Sequence, residues 1–243
     1  MRIAVIADVH GNYRALEAVF ADIDEIGVDE IISLGDNIGY GPEPEEVVQC
    51  LLQRHVSSVM GNHELGLISV GYFNRFNPVA KESLEITKSL LSEQSLCWLG
   101  NLPAVSLRHG ARFVHGCPPQ SMTAYLFSPT ANRLKRIFST YPEVYCFAGH
   151  THTLSWFTLR GNLVTCRTLK TGVISLSSDS RHLVLPGSVG QPRDQLNAKA
   201  KYCVWDVGAS NIEIRAVDYD VDTTIHLLKK RHFPVSNAIR LKR

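Results

Sequence analysis

Eight residues carry the chemistry this sequence could do: Asp8 and His10 in ADVHG, Asp36 in GDN, Asn62 and His63 in GNHE, His115 in FVHG, and His150 and His152 in GHTH. All are oxygen or imidazole donors that directly follow apolar runs. Donors of this kind, without thiolate, suit Mn, Fe, Ni, Co or Zn. The Asp-x-His and His-x-His spacings send both members of a pair to one side if the backbone stays extended, which opens them to chelation. Taken singly, each residue has an ordinary structural explanation. An Asp after a strand caps a helix, and a histidine sits hydrogen-bonded in a core. Five histidines, two aspartates and an asparagine at five strand ends are harder to explain that way. Buried together without a cation, they would carry a heavy desolvation cost.

The elements that must position them follow from periodicity. RIAVIAD (2–8), EIISLGD (30–36) and HVSSVMGN (55–62) read as strands, and NYRALEAVFADIDEIG and PEPEEVVQCLLQR as the helices between them. Successive β-α-β units imply parallel neighbours whose C-terminal loops gather on one side, where α/β folds place their sites. From about 65 to 100 the pattern turns helical, with two or three short helices interrupted by Pro78 and closed by Gly100, as a cap on the sheet edge. AVSLRHGARFVHG reads as a hairpin, SPTANRLKRIFSTY as a helix and EVYCFAGH as a strand. Residues 154–185 read as paired strands, and KYCVWDV with IEIRAV as a hairpin around Gly208. A basic helical tail, 222–243, closes the chain.

With 243 residues, 44% of them hydrophobic, one domain spanning 1–243 can bury a sizeable core. The first apolar run is broken at Asp8, so it predicts a buried strand and not a signal peptide or membrane anchor, and hence a cytoplasmic protein. Six dispersed cysteines without a C-x-x-C pair predict reduced thiols, mostly interior. The tail carries Lys229, Lys230, Arg231, Arg240, Lys242 and Arg243, and no acid after Asp222. A run this short reads as the solvated face of terminal helices, although it would also attract polyanions.

D8-x-H10, GDNIGYGP, GNHE, VHG and GHTH, in this order, resemble the motifs of the calcineurin-like metallophosphoesterases. GDNIGYGPEPEEVV, FNPVAKESLE, PGSVGQPRD and VDYDVDTT extend the likeness to a bacterial subgroup of predicted phosphodiesterases. The resemblance implies an α/β fold of four layers, αββα, in which two mixed β-sheets are flanked by helices. It assigns one divalent metal to Asp8, His10, Asp36 and His152 and a second to Asp36, Asn62, His115 and His150, with Asp36 bridging. A hydroxide held between the two metals would attack phosphorus. His63 would act as leaving-group acid or transition-state stabiliser, and Glu64 would support the site or start a helix.

Relatives that cleave phosphoproteins or symmetrical dinucleoside tetraphosphates carry arginines where this chain has Tyr40 and Met60, and a carboxylate partner for the catalytic histidine where it has Gly39. A dianionic monoester gains much from bidentate arginine. The expected reaction is therefore hydrolysis of a phosphodiester or phosphoanhydride in a small, nucleotide-like substrate, including dinucleoside polyphosphates. Relatives also often carry a charged pair after HG-x-P, where Pro119 and Gln120 stand here. Arg193, in the loop PGSVGQPRD, and Tyr40 are the substrate-binding candidates, with Phe73 and Phe76 available to cover a base; local pairing of Arg193 with Asp194 is the plainer alternative. A nuclease is disfavoured, because no basic groove or aromatic stacking series is evident near the motifs. The alternatives are a noncatalytic scaffold, a protein phosphatase or a nuclease. No membrane partner is expected, and exposed parts of the cap would be the place for a homodimer contact.

Overall fold

The computed structural model describes residues 1–194 and 197–242. β1 (Arg2–Ile6), α1 (Tyr13–Ile26), β2 (Glu30–Ser33), α2 (Pro44–Gln53) and β3 (Ser57–Ser58) form two successive β-α-β units. Four helices follow, α3 (Asn62–Ile68), α4 (Val70–Phe73), α5 (Pro78–Leu90) and α6 (Glu93–Gly100). Next come β4 (Val105–Arg108), β5 (Ala111–Val114), α7 (Ala131–Ser139), β6 (Tyr145–Ala148), β7 (Leu154–Arg160) and β8 (Leu163–Thr168). The chain continues through β9 (Gly172–Ser175), β10 (Arg181–Pro186), β11 (Ala200–Asp206), β12 (Asn211–Val217), α8 (Val221–Lys230) and α9 (Val235–Leu241).

Local chemistry sets these boundaries. Asn12 accepts from the Ala15 amide to start α1, whose Ala15, Leu16, Val19, Phe20 and Ile23 make one buried stripe, and Gly27 stops it at φ 68°. Pro78 does not interrupt a helix, as expected from sequence, but begins α5 behind the Asn77 cap, where its missing N–H costs nothing. The third strand is only two residues long, because the Met60 amide leaves the ladder to donate to the Pro103 carbonyl.

Two mixed six-stranded sheets result, ordered β3-β2-β1-β11-β12-β9 and β4-β5-β6-β10-β7-β8. The strands of 154–185 are thus divided, since β9 crosses to pair with β12 in the first sheet. Ile3, Val5, Phe113, Phe147 and Trp205 fill the space between the sheets. The outer face of the first sheet packs on α1 and α2 through Leu16, Val19, Phe20 and Leu51, and that of the second on α7 through Leu134, Ile137 and Phe138. The order of layers is αββα. The helices α3–α6 enclose an apolar cluster of their own with Ile38, Val48, Leu84 and Leu99.

All six cysteines are free. Cys117, Cys146 and Cys203 are buried, whereas Cys97 and Cys166 are exposed, so the thiols are less interior than their composition suggests. In the tail, Lys229 and Lys230 face solvent, but Arg231 pairs with Glu46 at 3.1 Å and Asn237 donates to the Tyr40 carbonyl at 2.9 Å. Arg243 lies outside the described residues. Among the described residues, no helix is long and apolar enough to cross a membrane.

Candidate metal centre

The motif turns follow β1, β2, β3, β5 and β6. The first three strands run parallel in one sheet and the last two parallel in the other. Backbone hydrogen bonds lace the turns together: Asp8 N to Gly35 O at 3.1 Å, His10 N to Asp36 O at 2.8 Å and Gly149 N to His115 O at 2.8 Å. Convergence does not come from extended backbone, as the spacing suggested. Asp8, His10, Asp36, His150 and His152 all lie in the left-handed region, with φ between 51° and 68°. Such residues cost about 1–3 kcal/mol each and persist where the surroundings fix them. Here the cross-turn hydrogen bonds do so, and each side chain is folded back towards a common centre.

The eight donors are brought together and buried. One nitrogen of each of four histidines meets a backbone carbonyl: His10 Nδ1 that of Ile38 (3.2 Å), His115 Nδ1 that of Leu34 (2.8 Å), His150 Nε2 that of Thr123 (3.2 Å) and His152 Nδ1 that of Gln191 (2.7 Å). A carbonyl can only accept, so these nitrogens are the protonated ones, and the second nitrogen of a neutral ring presents a lone pair inwards. His10 Nε2 and His152 Nε2 lie 3.1 Å apart, as do His115 Nε2 and His150 Nδ1. Two lone pairs at that distance repel unless a cation or proton lies between them. Carboxylate oxygens complete each group. Asp8 is 3.6 Å from His152 Nε2, and Asp36 Oδ2 is 3.7 Å from His10 Nε2 and 3.2 Å from His115 Nε2. Asn62 Oδ1 is 3.1 Å from His115 Nε2. Asp8, His10 and His152 form one group able to hold a cation, and Asp36, His115 and His150 another.

The electrostatics agree with a donor set short of positive charge. Burial pushes Asp8 up to about 7, with the neighbouring Asp36 adding to it. Burial also drives His10 and His152 well below the ordinary histidine value and His150 down to about 3. Of the four histidines bonded to carbonyls, His115 alone is shifted upward, to about 9, because the neighbouring Asp36 outweighs burial. A divalent cation in each group would stabilise the ionised carboxylates and take up the inward lone pairs, displacing the proton from His115.

His63 sits beside this set, a ring nitrogen lying within 4.8 Å of His10 and Asp36 donors. Its Nδ1 is buried without a hydrogen-bond partner among the described residues. The ring is held by packing, wedged among His10 (centroids 4.8 Å), Tyr40 (4.7 Å) and Phe76 (5.1 Å). Gly39 makes room for it, because a Cβ there would lie 2.4 Å from Nδ1. Burial holds His63 down to about 4, opposed by Asp36. Gly61 has extended backbone and is required by a close approach: a Cβ there would lie 2.2 Å from Asp36 Oδ1. Glu64 clamps two motifs, accepting from the amides of Gly61 (2.8 Å), Asp36 (3.0 Å) and Asn37 (2.7 Å).

Arg193 reaches the same place. Its amide donates to His152 O, its charge depresses His10, His63 and His152, and its guanidinium interacts with the Tyr40 hydroxyl. Its Nη2 donates to Gln191 Oε1 at 2.6 Å, while Asp194 lies 3.3 Å from Lys201 Nζ. Phe76 reaches His63, but Phe73 packs into the cap cluster and under Lys81. Tyr125 was missed from sequence. Its ring stacks on His150 with centroids 3.7 Å apart and Phe127 stacks on it at 4.9 Å, so an aromatic series does adjoin the motifs. The alternation in A-Y-L-F was the only available signal, and it does not reveal a partner 25 residues away.

Comparison with known proteins bears on this centre. Residues 1–210 match the calcineurin-like phosphoesterase superfamily domain. An uncharacterised protein of Methanocaldococcus jannaschii is 36% identical over 240 residues, covering 96% of this chain and 93% of its own. The crystal structure of a metallophosphoesterase from Sphaerobacter thermophilus superposes with a TM-score of 0.86 at 33% identity, over 100% of this chain and 99% of that one. A symmetrical bis(5'-nucleosyl)-tetraphosphatase of Neisseria meningitidis is 34% identical over 122 residues, 47% of this chain and 43% of its own. With the family model matched over most of its length and the fold shared with a metallophosphoesterase across the whole chain, the chain belongs to the calcineurin-like phosphoesterase superfamily.

Proposed function

We propose that the chain is a two-metal phosphoesterase that hydrolyses phosphodiester or phosphoanhydride bonds in nucleotide-like substrates. The observation that carries this is the pair of facing imidazole contacts at 3.1 Å, each with the outer nitrogen committed to a carbonyl. Asp8, His10, Asp36 and His152 would hold one cation and Asp36, Asn62, His115 and His150 the other. When bound, such ions neutralise phosphoryl charge and lower the pKa of water. The chain's own part is positional. The carbonyls of Leu34, Ile38, Thr123 and Gln191 fix the rings, and Glu64 fixes the Asp36 and Asn62 turns relative to each other. Arg193 and Tyr40 line one side of the site for nonbridging phosphate oxygens. Burial keeps His63 neutral in the free protein; the negative charge of a bound phosphate favours its protonated form, from which it would donate to the leaving oxygen.

The preference for diesters or anhydrides over protein phosphomonoesters rests on Tyr40 and Met60. Tyr40 packs on His10 and His63, and Met60 is buried, so neither position offers a guanidinium, and the organic cation nearest the centre comes instead from Arg193. The test is metal content and turnover of an aryl phosphodiester after reconstitution with Mn, Fe, Ni, Co or Zn. Asp36→Asn should lose metal and activity; His63→Ala should keep metal and lose turnover. A folded protein that takes up none of these metals and cleaves nothing is a scaffold. Preference for phosphoserine peptides over dinucleoside polyphosphates would overturn the substrate assignment.

A further inference from the structure

The tail supplies a second arginine to the same site. Arg240, on α9, holds its guanidinium carbon 5.7 Å from the centroid of the Tyr40 ring, and its Nη1 lies 3.5 Å from Gln191 Oε1. That oxygen is the one to which Arg193 donates at 2.6 Å. The Gln191 backbone carbonyl meanwhile meets His152 Nδ1, so a single buried residue ties both guanidinium groups to the metal centre. Two cations sharing one neutral oxygen repel each other, and the arrangement leaves donor capacity unused. Arg193 Nε is buried without a partner, and Arg240 has no carboxylate within 4.0 Å among the described residues. Arg231, from the same tail, is by contrast paired with Glu46. The placement of Arg240 is built, since Asn237 bonds to the Tyr40 carbonyl and to Ser83 Oγ, both at 2.9 Å.

We infer that Arg193 and Arg240 together bind a second phosphate, adjacent to the one at the metal centre, and that Arg240 makes the site select substrates with a phosphoanhydride over simple diesters. This rests on the phosphoesterase reading above. A diphosphate places a second anionic group one bridging oxygen beyond the first, and guanidinium forks match its oxygens bidentately. A diester with a single phosphate leaves Arg240 without a ligand. The reading also gives the basic tail a specific role in place of general solvation.

The test compares the phosphonate analogue of AMP, in which CH2 replaces the ester oxygen, with α,β-methylene-ADP by calorimetry on manganese-loaded protein. Wild type should bind the diphosphate analogue more tightly by roughly ten- to hundredfold, the scale of a charge-assisted hydrogen bond. Arg240→Gln should bring the ratio close to one, and Arg240→Lys should retain part of it. An unchanged ratio in Arg240→Gln would overturn the inference, including the case where both affinities fall equally because Arg240 only braces Tyr40. Equal affinities in wild type, or no binding of either ligand, would overturn it as well. Absence of phosphoester turnover with the affinity ratio intact would instead refute the catalytic reading and leave the clamp standing.

Discussion

Replacing Glu64 with glutamine changes one atom type in a fully buried side chain and should still be costly. Oε2 accepts from the amides of Gly61 and Asp36, and Oε1 from the amide of Asn37 at 2.7 Å and its Nδ2 at 3.3 Å. All four partners are donors, so the ionised carboxylate fits the geometry, even though burial and the Asp36 charge push Glu64 up to about 7. A glutamine has one acceptor oxygen. Whichever way its amide is turned, two N–H groups face its NH2 and lose their acceptor. Each buried unsatisfied donor costs about 1–3 kcal/mol, so the pair costs about 2–6 kcal/mol. Relief from burying a charge offsets part, leaving a net loss of about 2–4 kcal/mol. At about 2–4 °C per kcal/mol for a chain of this size, Tm should fall by roughly 5–15 °C. Metal content should fall too, because the Asp36 and Asn62 turns lose their common anchor. Circular dichroism melts and elemental analysis of dialysed protein measure both quantities. A Glu64→Gln protein with Tm within 2 °C of wild type and the same metal content would show that the four contacts do not hold the turns.

Gly39→Ala should keep the fold but displace the His63 ring, lowering turnover of an aryl diester without removing metal; unchanged kcat would mean that the ring need not sit over Gly39. Arg193→Ala should lower kcat/KM by a factor corresponding to roughly 1.5–3 kcal/mol, with Arg193→Lys recovering part, and equal kinetics in all three proteins would assign Arg193 to loop structure alone. Removing metal with a chelator should lower Tm by roughly 10–20 °C if two ions are each present at about a hundred times Kd, and a melt insensitive to chelator would count against bound metal. Asp22 is held below the ordinary carboxylate range by its hydrogen bond to Arg215, with Tyr202 assisting. Its contribution to stability is therefore present above about pH 4 and lost as pH falls through its folded value. The Tm difference between wild type and Asp22→Asn should shrink below pH 4, and a constant difference would refute the linkage.

What could be read from the sequence divides according to the range of the interactions concerned. Asp8, Asp36, His115 and His150 were legible because each ends an apolar run, and a parallel sheet must gather such ends. The αββα order came from the family resemblance, with which the order of strands and helices agrees. The way the donors converge was not legible. Extended spacing and left-handed turns give the same letters, and the left-handed φ at His10 and His152 is fixed by hydrogen bonds to turns far along the chain. For Glu64 the sequence left open support of the site or the start of a helix, and it does both, but its partners Asp36 and Asn37, 27 or 28 residues away, could not be read from it. The tail hid most. Lys229, Lys230, Arg231 and Arg240 are one basic cluster in composition, yet two face solvent, one pairs with Glu46, and Arg240 stands over Tyr40 beside the metal centre. What separates them is which face of α8 or α9 each occupies and where those helices dock. That docking depends on Ile225, Leu228, Phe233 and Leu241 packing against Ile86 and Leu90 of the cap. A charge run therefore predicts an anion only after the apolar side chains beneath it have found their partners.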